Sequence, residues 1–294
     1  MRRWSSIALA TALEMLSEPL SFLVLLSSLA IAVFAPAFHY HQFGEASRMA
    51  RDSGLSALFV GGSVFAIFGT IRAFRREVES CTMEMILAHP VSRGGFFASK
   101  LVGVGIACLA FSATLLATTM VMVAGAEVGG AIAERTGDIA RIYGPFFAAG
   151  VGIILLSLVV AAGLNRFAEF RWTFSAMVLA FVLSIALAIG TGFLTGWCAR
   201  RVVPVAVLCV LPMLVLASFA AAFSLRFRTN VAAVCSVGVF AVLLPAIGNY
   251  NLSNALSDGG VVPWSYVALA ALVAVPMFLL ALLLGLNFIH GRDL

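Results

Sequence analysis

Residues 203–223 read VPVAVLCVLPMLVLASFAAAF, an unbroken run with no charged side chain and a single hydroxyl. As an α-helix, about 20 apolar residues cross the roughly 30 Å of hydrocarbon in a bilayer. Runs of the same kind recur along the chain near 20–37, 54–73, 101–125, 145–164, 173–194, 231–248 and 265–287. Their apolarity is continuous rather than alternating, which excludes the strands of a membrane β-barrel. Of the 294 residues 62% are hydrophobic and only 11% charged, and the mean hydropathy is +1.09. No water-soluble core of this size needs such a composition. The expectation is an all-α, polytopic helical membrane bundle of about eight transmembrane helices. It forms a single domain over 1–294, with nothing left over for a soluble one.

Orientation follows from the placement of Lys and Arg in the loops. With both termini cytoplasmic, the inner loops carry Arg2, Arg3, Arg72, Arg75, Arg76, Arg93, Lys100, Arg166, Arg171, Arg226, Arg228 and Arg292. The outer loops then carry Arg48, Arg51, Arg135, Arg141, Arg200 and Arg201, a two-to-one bias toward the inside. This predicts a multi-pass protein of the plasma (inner) membrane. Arg200 and Arg201 lie outside only if the spans on both sides of them are real; a six-span arrangement is the alternative. The net charge of +5 is spread over many loops. It forms no basic face, so nucleic acid is excluded as a partner.

The N-terminus imitates a signal peptide, with Arg2 and Arg3 before a short apolar run, but Glu14 and Glu18 stand where a small-residue cleavage site belongs. Arg3, Ser6, Ala10, Glu14 and Ser17 recur at spacings of three and four, opposite Leu9, Leu13, Leu16 and Leu20. Residues 1–18 therefore read as an interfacial amphipathic helix, with Pro19 marking the turn into the first span. The five cysteines include no CxxC pair, which argues against zinc or a disulfide framework. His39 and His41 flank Tyr40 without further ligands, an incomplete metal site. Gly192 and Gly196 form a GxxxG, and Gly61, Gly62 and Gly69 stud the second span, a pattern that suits close helix packing.

None of the eight spans has an Asp, Glu, Lys or Arg in its interior. Intramembrane ionisable groups are the usual mark of proton- or sodium-coupled carriers, so that class is disfavoured. Energy must then enter from outside the bilayer, yet the chain has no GxxxxGK[ST] loop with which to bind ATP itself. Thr114, Thr118, Thr119 and Thr191 are inert without a base, and no catalytic, cofactor or metal site is expected.

The charged interruption at 77–100, EVESCTMEMILAHPVSRGGFFASK, gives this pattern a meaning. It continues the second span, breaks at His89–Pro90 and restarts before the third; the proline lacks an N–H and disfavours helix at the residue before it. A rigid cytoplasmic corner results, the segment as a whole running over 74–100. Glu77, Glu79, Thr82, Met83, Glu84, Ile86, Leu87, Pro90, Val91, Ser92, Arg93, Phe96, Phe97 and Lys100 resemble the motif that follows the second span in permease subunits of type-2 ABC transporters. Cys81 stands where that family has glycine, and the stretch 145–194 looks like a hairpin added to the family's six-span plan. The turn at 224–230 and the N-terminal helix resemble further family features, and the loop 249–264 occupies the place of its extracellular gate.

The resemblance implies a permease that binds no cofactor and works with a separate ABC ATPase subunit carrying ATP and Mg. Residues 77–100 would be its coupling helix. Met83, Ile86 and Leu87 would anchor it in the ATPase, and Glu77, Glu79, Glu84 and Arg93 would supply charge complementarity. Pairing with itself or a similar permease, and export as the direction, are further implications. Two other classes remain: a non-transporting scaffold that anchors an ATPase or supports assembly of an exported metalloprotein, and an intramembrane enzyme.

Overall fold

The structure is a computed structural model and describes residues 2–37, 46–79, 92–136, 139–168, 171–248 and 262–290. Among them every regular element is helical: α1 Arg2–Ser17, α2 Pro19–Phe34, α3 Ala46–Glu79, α4 Arg93–Thr136, α5 Ile139–Ala168, α6 Trp172–Thr195, α7 Val202–Arg226, α8 Thr229–Gly248 and α9 Trp264–His290. Each predicted span is a helix. Six of them are long and apolar enough to cross a membrane alone. The first is not: α2 has 16 residues, and it makes a span only together with α1, from which it is bent by 64°. Pro19 at the first position of α2 causes the break, since it cannot donate an amide hydrogen back to α1. α8 runs for 20 residues, Thr229–Gly248. Among the described residues six helices are thus long and apolar enough to span by themselves, or seven spans if α1 and α2 are one broken span, in keeping with a polytopic helical membrane bundle.

α3, α4 and α7 form the centre, with α1, α2, α5 and α6 around α4 and α3, and α8 and α9 against α7. Phe65 and Phe111 stack across α3 and α4 with ring centroids 4.5 Å apart. The second-span glycines each admit a different neighbour: Gly61 faces Ser28 of α2, Gly62 the Met213 sulfur of α7, and Gly69 the Met15 side chain of α1. A side chain at any of them would force that neighbouring side chain to move. Buried serines and threonines return their hydroxyls to their own helix, as Thr118 does to the Thr114 carbonyl at 3.0 Å and Ser236 to Ala232 at 2.8 Å. Most hydroxyls of the spans are thereby satisfied locally, while that of Thr70 in α3 is buried without a hydrogen-bond partner.

The GxxxG at Gly192 and Gly196 does something other than pack two helices. Gly196 ends α6 in the left-handed conformation with φ of 66°, and the Trp197 N–H donates to the Gly192 carbonyl at 2.9 Å. A side chain on Gly192 would meet the Trp197 indole at 2.9 Å. The motif builds the turn that, through the short 3-10 turn Cys198–Arg201, leads into α7. That turn joins two full helices and removes the alternative in which this region is misread.

α1 has three faces where two were expected. Ala8, Thr11, Ala12 and Met15 are buried, while Leu9 and Leu13 are exposed. The remaining face carries Glu14, which is ion-paired, as is Glu18 at the elbow that follows. The closest approach is at Gly103 of α4, where an added side chain would collide with the Ala8 carbonyl.

Candidate functional site

One end of the bundle gathers the last turns of α1, α3 and α7 and the first turns of α4 and α6. The sequence of α3 there, Arg72-Ala73-Phe74-Arg75-Arg76-Glu77, spreads charge around three sides of a helix while Ala73 and Phe74 point inward. Arg72 and Arg76, four residues apart, share a face. Arg72 donates to the Glu18 carboxylate at 3.1 Å and Arg76 pairs with Glu14 at 3.2 Å, tying α3 to the α1–α2 elbow. Arg75 donates to the Phe227 carbonyl at the end of α7, at 3.4 Å. Glu77 faces α4.

α4 begins beside it. Ser92 accepts the Gly95 N–H on its hydroxyl oxygen at 3.3 Å, a serine N-cap one residue before Arg93. Trp4 of α1 lies over the space left by Gly95, and Phe97 packs into the space left by Gly285 of α9. Two turns into α4 comes Lys100, whose side chain is only 1% exposed. Its Nζ sits 2.6 Å from the Glu77 carboxylate, donates to the Ala73 carbonyl at 3.0 Å, and lies 4.7 Å from the centroid of the Phe74 ring. An ammonium has three hydrogens to place, and here a carboxylate, a carbonyl and an aromatic face receive them. Burial of a lysine is tolerable only with partners of this kind.

The predicted coupling residues therefore divide. Glu77 and Lys100 meet each other, because α3 and α4 run side by side and bring residues 23 positions apart into contact. Arg93 opens α4 and is half-buried. Glu79 is the last residue of α3, and nothing of its side chain is described. Thr82, Met83, Glu84, Ile86, Leu87 and Pro90 lie outside the described residues, as do Cys81, His39, His41 and the loop 249–261. Sequence reasoning missed two features of this site. Ser92 as a helix cap was legible from its place just before an apolar run; the pairing of Arg72 and Arg76 with Glu18 and Glu14 was not, since nothing local links α1 to the end of α3. Among the described residues no three of His, Cys, Asp and Glu converge as metal ligands would.

What the arrangement can do is mechanical. α3 and α4, which flank residues 80–91 in sequence, are locked together at Lys100 and braced against α1, α7 and α9. A family model described as "ABC-2 family transporter protein" matches residues 5–186, from α1 through most of α6 and across the whole of 77–100. The chain belongs to that family. It is a multi-pass membrane permease of the ABC-transporter type, and permeases of the ABC-2 family normally pair with an ABC ATPase. Comparison with curated proteins and with solved structures gave no match.

Proposed function

We propose that this ABC-2 permease is the membrane subunit of an ATP-driven exporter, with both termini cytoplasmic, and that residues 77–100 receive the motion of a separate ATPase. The observation that carries the reading is the clamp at the base of that segment. A coupling element must be stiff, because a flexible loop would absorb a partner's displacement instead of passing it on. Lys100 buried between Glu77, Ala73 and Phe74 makes the two ends of the segment one body. Arg72, Arg75 and Arg76 connect that body to α1, α2 and α7. Displacing the segment would then tilt α3 and α4 together and drag the bundle's centre with them.

In this reading Glu77 and Lys100 hold the base, and Glu79, Thr82, Met83, Glu84, Ile86, Leu87, Pro90 and Arg93 meet the ATPase. Two copies, or one copy and a similar permease, would form the path and bind two ATPases, with ATP and Mg on those partners. Gentle extraction from the native membrane and mass spectrometry of the co-purifying chains tests it. A stoichiometric partner with a phosphate-binding loop, lost when Glu84→Lys and Arg93→Glu are combined, supports coupling through this segment. Repeated absence of such a partner from an intact complex overturns the reading. A bound ATPase whose hydrolysis never responds to any transported compound leaves a scaffold in its place.

A further inference from the structure

α5 and α6 are sparsely enclosed: within their apolar spans only 22% and 28% of residues are buried. Between them runs a groove of about 560 Å³ lined wholly by apolar side chains, among them Ala149, Gly152, Leu156 and Val159 of α5 and Leu183 and Leu187 of α6. That size falls in the roughly 300–1,000 Å³ range of small-molecule sites. Gly152 opens directly onto it, and a side chain there would touch nothing within 4 Å. No neighbour inside the chain requires glycine at this position, although glycine in a helix interior costs about 0.5–1 kcal/mol relative to alanine.

Two arginines lie beyond one end of the groove. Gly152, Val159 and Arg166 are spaced by sevens and so share one face of α5, and Arg166 lies about 10 Å beyond Val159 at 1.5 Å per residue. Arg171 immediately precedes α6. Both arginines are exposed, and so are Phe167 and Trp172, aromatic residues of the kind found at headgroup level. Glu169, between them in sequence, lies outside the described residues. From Arg166 the apolar lining extends from about 10 to about 25 Å along α5. A lipid tail hangs over a similar depth, since half the hydrocarbon core is about 15 Å and the headgroup region adds several more.

We infer that this groove holds one acyl chain of an anionic phospholipid whose phosphate rests on Arg166 and Arg171. A second copy of the chain is the other apolar occupant, and charge argues against it. Two copies in the same membrane orientation, packed groove to groove, would bring four arginines together at one depth, a like-charge juxtaposition that opposes association. The anionic headgroup answers the same charges with attraction. The site is independent of ATPase coupling and stands or falls separately from the transport reading.

The test is native mass spectrometry of the full-length protein after delipidation and titration with phosphatidylglycerol or with phosphatidylcholine of the same chains. The wild type should keep one phosphatidylglycerol with at least tenfold preference over phosphatidylcholine. Arg166→Gln with Arg171→Gln should abolish the preference. Gly152→Leu should fill the groove and remove the bound lipid, while Gly238→Leu, on α8 and equally open, should change nothing. Equal retention of both lipids by the wild type, or unchanged retention in Gly152→Leu, overturns the proposal. So does a fall in oligomeric state in Gly152→Leu with lipid counts unaltered, which would assign the groove to a second copy.

Discussion

Replacing Lys100 by methionine keeps the length and apolar volume of the side chain and deletes only its charge. Taking away one member of a buried ion pair costs roughly 3–5 kcal/mol, because the remaining charge is left uncompensated. Glu77 retains 21% of its side-chain surface, so water relieves part of that penalty and the lower end applies. The Ala73 carbonyl adds little, since by helical register it still faces the Glu77 N–H. The expected loss is about 3 kcal/mol, on the order of a hundredfold in the equilibrium between clamped and open states. Adding Glu77→Gln removes the orphaned charge. The double variant should return to within about 1 kcal/mol of wild type, because a buried pair and an uncharged substitute are often close in stability. Unfolding of the protein in lipid nanodiscs, followed by tryptophan emission, reads both numbers; Trp4 lies over the first turn of α4 at Gly95 and reports on this end. Should the single variant fall within 0.5 kcal/mol of wild type, or the double variant be no more stable than the single one, the clamp does not hold α3 to α4 as described.

Three further outcomes follow from other contacts. Gly103→Leu places a side chain against the Ala8 carbonyl and should lower stability by about 1–3 kcal/mol; its signature is a red shift of Trp4 emission as α1 lifts from α4. Gly196→Ala forces a side chain into the left-handed region at φ of 66°. It should cost about 1–2 kcal/mol, visible as a lower midpoint in thermal unfolding with unchanged helix content by circular dichroism. Arg76→Glu should cost only about 0.5 kcal/mol, since Arg76 is 60% exposed. The exchange Arg76→Glu with Glu14→Arg should restore it, and a double-mutant cycle showing no coupling would mean that the elbow is not held by this pair.

How much of this was legible beforehand depends on the range of the forces involved. The helices could be read from the chain because a bilayer imposes one rule on each stretch separately: a backbone without water must bond to itself, and about 20 apolar residues must do so in a row. The corner expected at 77–100 rests on a similar reason, since Pro90 and the charges act where they stand, and its apex lies outside the described residues. Glu77 and Lys100 show the limit. Taken singly they are an acid and a base in a loop, suited to a partner's surface, and only the packing of α3 on α4 turns them toward each other. The same holds for the glycines. Gly61, Gly62 and Gly69 were correctly suggestive of close packing, but which helix approaches each one was not contained in their spacing. Gly192 and Gly196 had the spacing of a helix-packing motif and instead make a turn, because a left-handed φ at Gly196 ends α6 before a second helix can use the face.

The sequence by itself determined that this is a helical membrane protein, where its helices lie, and which segment resembles the coupling element of a transporter. Tertiary structure alone decided that Lys100 is buried, that α1 and its elbow are tied to α3 by Glu14 and Glu18, and that an apolar groove lies between α5 and α6. Hydrophobicity and proline act along the chain and can be read residue by residue. Ion pairs, glycine contacts and grooves exist only between segments, and come into being when the helices pack.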